Sequence, residues 1–159
     1  MLTHSESVAI FMEFYEEVVA LKIKNFDKAN VAMLIIGNSK GHVPRYGYST
    51  NSALSFEQEF ALDVIPTTHS TSQFAQQTND QSLNHTEPKL LQDFEDEFDF
   101  DNASYIHLHT IRDVCGSCSK SSVTPFKTAC KKTNTTFYLY EYGGNVPSMI
   151  NCKQTALNA

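Results

Sequence analysis

The feature that most constrains this fold is an apolar run, Asn30-Val31-Ala32-Met33-Leu34-Ile35-Ile36, which ends at Gly37. A short apolar run without alternation predicts a strand that is buried on both faces of a sheet. Turn residues follow at 38–41, and 42–48 predicts a second, weaker strand whose Pro44 favours a sheet edge. We therefore expect a hairpin whose first strand lies inside a covered sheet.

Helical and extended patterns alternate along the rest of the chain. A Thr3-x-x-Glu6 capping box starts the first helix, whose apolar positions recur from Val8 to Ile23 at three- and four-residue spacing. The remaining patterns predict helices over 56–64, 87–98 and 118–132, strands over 105–111 and 137–142, and a polar loop over about 66–84. This order predicts an α/β sandwich in which helices cover a mixed sheet, with its core at about 30–142.

Composition limits the class of protein. The chain has 159 residues, of which 41% are hydrophobic, and this size suits one domain over 1–159. It lacks the run of about 18 apolar residues that would predict a membrane span, and 1–6 lacks the basic start of a signal peptide. The net charge of -6 argues against a general electrostatic grip on nucleic acid.

Two short motifs carry the candidate chemistry. His85-Thr86-Glu87 is separated by 27 residues from the pair Cys115-x-x-Cys118. A Cys-x-x-Cys pair at a helix start directs two thiolates to one point, and a histidine can supply a third zinc ligand. The fourth position then stays open for water, as in catalytic sites, and Glu87 is placed to move protons beside it.

These motifs resemble the cytidine deaminase-like superfamily, particularly its bacterial toxin deaminases. The resemblance rests on His85-Thr86-Glu87-Pro88-Lys89-Leu90-Leu91 and on Ile106-His107-Leu108-His109-Thr110, which leads into Cys115-Gly116-Ser117-Cys118. It covers about 30–142, where the order of the elements is similar too. Two departures are Val114, where many deaminases carry proline, and Pro125 inside the second catalytic helix.

The resemblance implies a fold, a cofactor and a reaction. It implies a three-layer sandwich that holds one catalytic zinc ion through His85, Cys115 and Cys118, with Glu87 as the proton carrier. The implied reaction is hydrolytic deamination, with cytosine in single-stranded DNA or other nucleic acid favoured over adenine or a free nucleoside or nucleotide. By analogy it also implies a toxin domain that acts in the cytosol and an immunity protein as a possible partner.

Weaker candidates surround these motifs. Asn51 matches the place of a base-binding asparagine in related deaminases, although a simple turn asparagine explains it equally well. His109 could contact substrate from the zinc end of its strand, or lie with His107 on a solvated or helix-covered face. Alternating tyrosines predict an exposed face that could stack on bases, formed by Tyr138, Tyr140 and Tyr142. Four lysines could form a local basic patch: Lys120, Lys127, Lys131 and Lys132.

Other interpretations of the motifs remain open. The cysteine pair could be half of a structural zinc site, a redox pair or two buried thiols, with Cys130 facing the core and Cys152 in the tail. A second His-x-Glu, His4-Ser5-Glu6, competes with the first, but the capping box explains its glutamate. If Pro125 begins its own helix, the cysteines would lie on a separate short turn. A zinc- or partner-binding module without turnover is the competing function.

Overall fold

The computed structural model describes residues 1–49, 54–65, 74 and 85–158. Helices in this part of the chain are α1 (His4–Ala20), α2 (Phe56–Leu62), α3 (Thr86–Glu97), α4 (Gly116–Cys118) and α5 (Thr124–Lys132), with 3-10 turns at Phe26–Lys28 and Phe100–Asn102. The strands are β1 (Val31–Asn38), β2 (Gly41–Tyr48), β3 (Tyr105–Thr110), β4 (Thr136–Glu141) and β5 (Lys153–Ala156). The predicted α/β class is confirmed.

The strands form one mixed sheet in the order β2-β1-β3-β4-β5. Only β3 and β4 pair in parallel, and the other neighbours are antiparallel. The predicted hairpin of β1 and β2 is present, and β2 forms an edge of the sheet, as Pro44 indicated. The parallel pair places the ends of β3 and β4 at the same side of the sheet, where α4 begins.

β1 is buried on both faces, as its composition predicted. Met33 and Ile35 belong to a core that α1 covers, whereas Leu34 and Ile36 belong to a second core. That second core contains apolar residues of α3 and α5. Helices therefore cover both faces of the sheet, in three layers.

The core on the α1 face, which contains Tyr105, also explains the glycine near the end of β1. A Cβ atom on Gly37 would lie 2.1 Å from Cζ of Tyr105 on the neighbouring strand. Such a distance is far below van der Waals contact, so the tyrosine ring can cross β1 only where no side chain is present.

On the α1 face, polar side chains are buried among the apolar ones. Ser7 Oγ lies 2.8 Å from Nδ1 of His107 and 2.7 Å from Nε2 of His109. His109 Nδ1 is in turn 2.7 Å from the hydroxyl of Tyr142. We call Ser7, His107 and His109 the Ser7 cluster. It links α1 to β3 through hydrogen bonds, which compensate the burial of these polar groups.

The structure corrects several predictions about exposure. Tyr140 and Tyr142 are fully buried beneath α1, so they do not form the predicted exposed face. In α2, Phe56 and Phe60 are each 84% exposed, and Leu62 makes the contact with the core instead. The sequence patterns also did not predict β5, which begins directly after Cys152 and pairs with β4.

Pro125 does not separate the cysteines from the following helix. A π-helical turn, Ser119–Val123, joins α4 to α5, and the backbone at both junctions stays in the right-handed helical region. Pro125 is the second residue of α5 and so lies in its first turn, where a proline is tolerated. The cysteines therefore lie at the start of one continuous helical segment.

Among the described residues, no helix combines the length and hydrophobicity needed to cross a bilayer.

Candidate metal centre

Three side chains converge where α3 and α4 begin. His85 is the N-cap residue of α3, and Cys115 is the N-cap residue of α4, with Cys118 one turn further on. His85 Nδ1 lies 3.0 Å from Sγ of Cys118 and 3.5 Å from Sγ of Cys115. The three ligand atoms all lie within 4.8 Å of one another, so this group could hold a metal ion.

The donor set and its spacing fit a tetrahedral ion. Metal–sulfur bonds of about 2.3 Å and metal–nitrogen bonds of about 2.0 Å place ligand atoms roughly 3.5 to 3.8 Å apart. The distance from His85 Nδ1 to Cys115 Sγ is 3.5 Å, which matches this spacing, and the distance to Cys118 Sγ is 3.0 Å, about 0.5 Å shorter. The three ligands also differ in exposure: Cys118 is buried, whereas Cys115 is exposed. One side of the group therefore remains accessible for a fourth ligand.

The backbone at the helix starts favours negatively charged ligands. Cys115 Sγ accepts a hydrogen bond of 3.3 Å from the backbone N–H of Cys118. N–H groups at a helix N-terminus present a positive dipole, which stabilises thiolates. Burial acts in the opposite direction and raises the pKa of the Cys118 thiol, and the nearby Glu87 carboxylate raises it further. A bound cation would offset both effects, because metal ligation deprotonates thiols.

Glu87 places a carboxylate beside these ligands. Its side chain is 3% exposed, and burial raises its pKa. Oε1 accepts a hydrogen bond of 3.2 Å from the hydroxyl of Thr110. A carboxylate whose pKa is raised by burial holds a proton more readily than an exposed one, which suits general acid–base chemistry.

A cleft of about 170 Å³ opens over these residues. Glu87, His85 and Cys115 line it, and Lys28 and Arg112 contribute positive charge to the same lining. Pockets for drug-sized ligands start at about 300 Å³, so this cleft suits one small ring rather than a larger molecule.

Other candidate residues do not all reach the cleft. His4 lies at the start of α1, where its Nδ1 is 2.6 Å from the hydroxyl of Tyr140, so His85 and not His4 joins the cysteines. His109 is fully buried in the Ser7 cluster on the α1 face, so its predicted contact with substrate is replaced by a role in the core. Asn51 and most of the predicted loop at 66–84 lie outside the described residues.

Both remaining cysteines lie away from the cysteine pair. Cys130 is buried in the core between the sheet and α5, as the helical spacing predicted. Cys152, predicted to lie in the tail, instead packs against the core on the α1 face. Neither belongs to the metal-binding group found among the described residues, so neither completes a site with four protein ligands there.

Two residues that form hydrogen bonds with Glu87 were not predicted as part of the site. Thr110, at the end of β3, and Asn30, just before β1, form hydrogen bonds that reach Glu87. Thr110 carried a signal, because it follows Ile106 and Leu108 as a polar residue on the buried face of its strand. Asn30 carried none, since its contacts depend on the packing of distant elements.

Comparison of this chain with protein-family models, with curated proteins and with solved structures finds no match.

Proposed function

We propose that this protein is a zinc-dependent hydrolytic deaminase of nucleobases, related to the cytidine deaminase-like superfamily. One observation carries the proposal: the buried carboxylate of Glu87 lines the same cleft as two of the three candidate ligands, His85 and Cys115. A structural metal site has no need of a buried carboxylate beside an accessible ligand position. A hydrolytic site needs both, since water must enter and lose a proton.

Zinc is the metal that this donor set favours, because one imidazole and two thiolates in tetrahedral spacing suit it. When bound, zinc would supply a Lewis acid that makes water a nucleophile near neutral pH. His85, Cys115 and Cys118 would hold the ion. Their mixed exposure leaves the accessible side towards the cleft, where a base would enter.

Glu87 moves the protons in this mechanism. It takes the first proton from water as the oxygen adds to the amino-bearing carbon of the base, and delivers that proton to the ring nitrogen. The second proton of the same water follows through Glu87 to the amino group, which leaves as ammonia and yields a carbonyl. The burial that raises the pKa of Glu87 suits both steps, because the protonated form becomes accessible.

We propose cytosine in single-stranded nucleic acid as the substrate, on the resemblance of the motifs. The net charge of -6 requires any grip on phosphates to be local. Lys28 and Arg112 line the cleft itself. The Arg112 guanidinium is held by the backbone carbonyls of Ala29 and Asp27, which fixes a positive charge at this position. Exposed lysines of α5, such as Lys127, could extend this attraction.

The test is to incubate the zinc-loaded protein with single strands, duplexes, RNA and nucleosides that contain cytosine or adenine. Mass spectrometry of the products identifies both the base and its context. We expect cytosine to become uracil in single strands. The absence of product from every substrate would contradict the proposal and favour a binding module.

Glu87→Gln separates turnover from binding. The variant keeps the shape of the side chain but cannot cycle a proton, so we expect activity to fall by roughly 100-fold or more with unchanged zinc content. Glu97→Gln is the matched control, because Glu97 is an exposed residue at the end of the same helix. Deamination by the Glu87 variant at the wild-type rate would show that the mechanism is wrong.

A further inference from the structure

A buried threonine connects the sheet to the candidate proton carrier. Thr110 is fully buried at the end of β3, and its hydroxyl lies 3.2 Å from Oε1 of Glu87. The same hydroxyl lies 2.9 Å from the backbone carbonyl of Arg112. A hydroxyl has one hydrogen, so its direction decides whether Glu87 receives a hydrogen bond.

Asn30 restricts that direction. Its Oδ1 accepts a hydrogen bond of 3.0 Å from the backbone N–H of Arg112, which distinguishes the oxygen of the amide from the nitrogen. Its Nδ2 therefore faces the hydroxyls of Thr110 and Thr86, at 2.7 and 2.8 Å. Because the Thr110 oxygen accepts from Asn30, its own hydrogen must point elsewhere, towards Glu87 or the carbonyl of Arg112.

We propose that Asn30 and Thr110 are positioning residues for Glu87, whose carboxylate they fix through Oε1 for proton transfer. This inference rests on the proposed function, since it assigns roles within the same reaction. Neither residue contacts the reacting atoms in this arrangement. Asn30 orients Thr110 and also lies 3.4 Å from Oε1 of Glu87, whereas Thr110 makes the shorter contact of 3.2 Å with the same oxygen.

Positioning matters here because of the chemistry. A carboxylate can rotate about its last side-chain bond, and burial alone does not fix that rotation. A proton carrier misplaced by about 1 Å can cost roughly 100-fold in rate. A hydrogen bond to one oxygen fixes the plane of the carboxylate and thereby the direction of the other oxygen.

Thr110→Val tests the hydrogen bond, because valine keeps the shape of threonine without the donor. We expect kcat to fall roughly 10- to 100-fold, with KM within about twofold of the wild-type value because substrate contacts are unchanged. Thr110→Ser keeps the hydroxyl and should restore most of kcat. Thr128→Val is the control, since Thr128 is exposed on α5. An unchanged kcat, or a serine variant that behaves like the valine variant, would overturn the proposal.

Asn30→Asp tests the direction of the hydrogen bonds that run from Asn30 through Thr110 to Glu87. Aspartate can still accept from the N–H of Arg112, but it replaces the donors to both hydroxyls by an acceptor. We expect a loss of kcat similar to that of Thr110→Val. The double variant should lose little more kcat than either single variant, because the two residues belong to one series of hydrogen bonds. Losses that multiply in the double variant would contradict this coupling.

A readout without turnover separates this inference from the proposed function. Crystal structures of zinc-loaded wild type, Thr110→Val and Asn30→Asp should show the Glu87 carboxylate rotated in both variants. A carboxylate that keeps its wild-type position in both would overturn the positioning role. If wild type deaminates no substrate, the proposed function fails, whereas the rotation of the carboxylate still decides the role of Thr110.

Discussion

We expect the stability of this protein to fall between pH 7 and pH 5, and replacing His107 by asparagine should make that fall smaller. His107 is fully buried on the α1 face of the sheet. Its Nδ1 contacts Ser7, and its Nε2 has no hydrogen-bond partner among the described residues. Burial lowers the pKa of His107 from 6.5 to about 4, and the neighbouring His4 contributes in the same direction.

The groups that face His107 come from several elements. His4 and Ser7 approach from α1, and Tyr138 and Tyr140 approach from β4. On β3 itself the neighbours are Tyr105 and, through Ser7, His109. These neighbours include no carboxylate that would stabilise a positive charge, so protonation of His107 is unfavourable in the folded protein.

The sign and size of the effect follow from proton linkage. The unfolded chain binds a proton at His107 below pH 6.5, whereas the folded protein does so only below about pH 4. The unfolded state therefore binds more protons in this window, and stability falls as the pH falls from 6.5 towards 4. Between pH 7 and pH 5 the loss from His107 amounts to about 2 kcal/mol. Burial also lowers the pKa of His109, so its effect has the same sign.

The assay is urea unfolding at several pH values between 7 and 5. Asparagine can keep the contact with Ser7 but cannot titrate, so His107→Asn should lose about 2 kcal/mol less than wild type over this range. Ile106→Val, on the adjacent position of β3, is the control, because it weakens the core without removing a titrating group. Carboxylates and metal ligands contribute equally to all three proteins. Parallel curves for wild type and His107→Asn would refute the reasoning.

Two further predictions concern the metal centre and the cleft. Zinc at roughly 1,000 times its Kd should raise the free energy of unfolding of the wild type by about 4 kcal/mol, and a chelator should remove this gain. Cys118→Ser lacks one ligand, so neither zinc nor the chelator should change its stability. Thermal melting measures both effects. An unchanged melting temperature with zinc would contradict the metal centre. Lys28→Gln should reduce the salt dependence of binding to single-stranded nucleic acid by about one phosphate contact, and Lys127→Gln should reduce it less. An unchanged salt dependence in Lys28→Gln would exclude this cation from the interface.

Local patterns in the sequence predicted the elements that position the site. The apolar run before Gly37 identified a strand with both faces buried, and the structure confirms this for β1. The motifs of His85 and the cysteine pair predicted a common metal site, and the three side chains do converge. The strand and the Cys-x-x-Cys spacing were predictable because strand burial and helix starts depend on residues close together in the chain. The meeting of His85 with the cysteines, 30 residues further on, depended on the family resemblance of the two motifs.

Predictions about which side of a strand is covered failed more often. For Tyr140 and Tyr142 the alternation predicts an exposed face, which is wrong. For His109 a contact with substrate, a solvated face and a helix-covered face were all open, and the helix-covered face is the one present. In the structure, the hydroxyl of Ser7 and the aromatic ring of Phe11 cover them. Partners that arrive from the other end of the chain leave no local signal, and the same is true of Asn30 at the cleft.

The Ser7 cluster has a consequence for how the chain reaches this fold. Ser7 and its partner His107 are separated by 100 residues, and the buried Phe11 and Val18 of α1 belong to the same face of the molecule. During synthesis α1 is complete long before β3 and β4 have been made. Its apolar residues therefore stay exposed to solvent until those strands are present. Closing so long a loop costs entropy before the contacts form. We therefore expect α1 to pack against the sheet late in folding. Chains whose synthesis stops before β3 should expose the apolar face of α1 and aggregate.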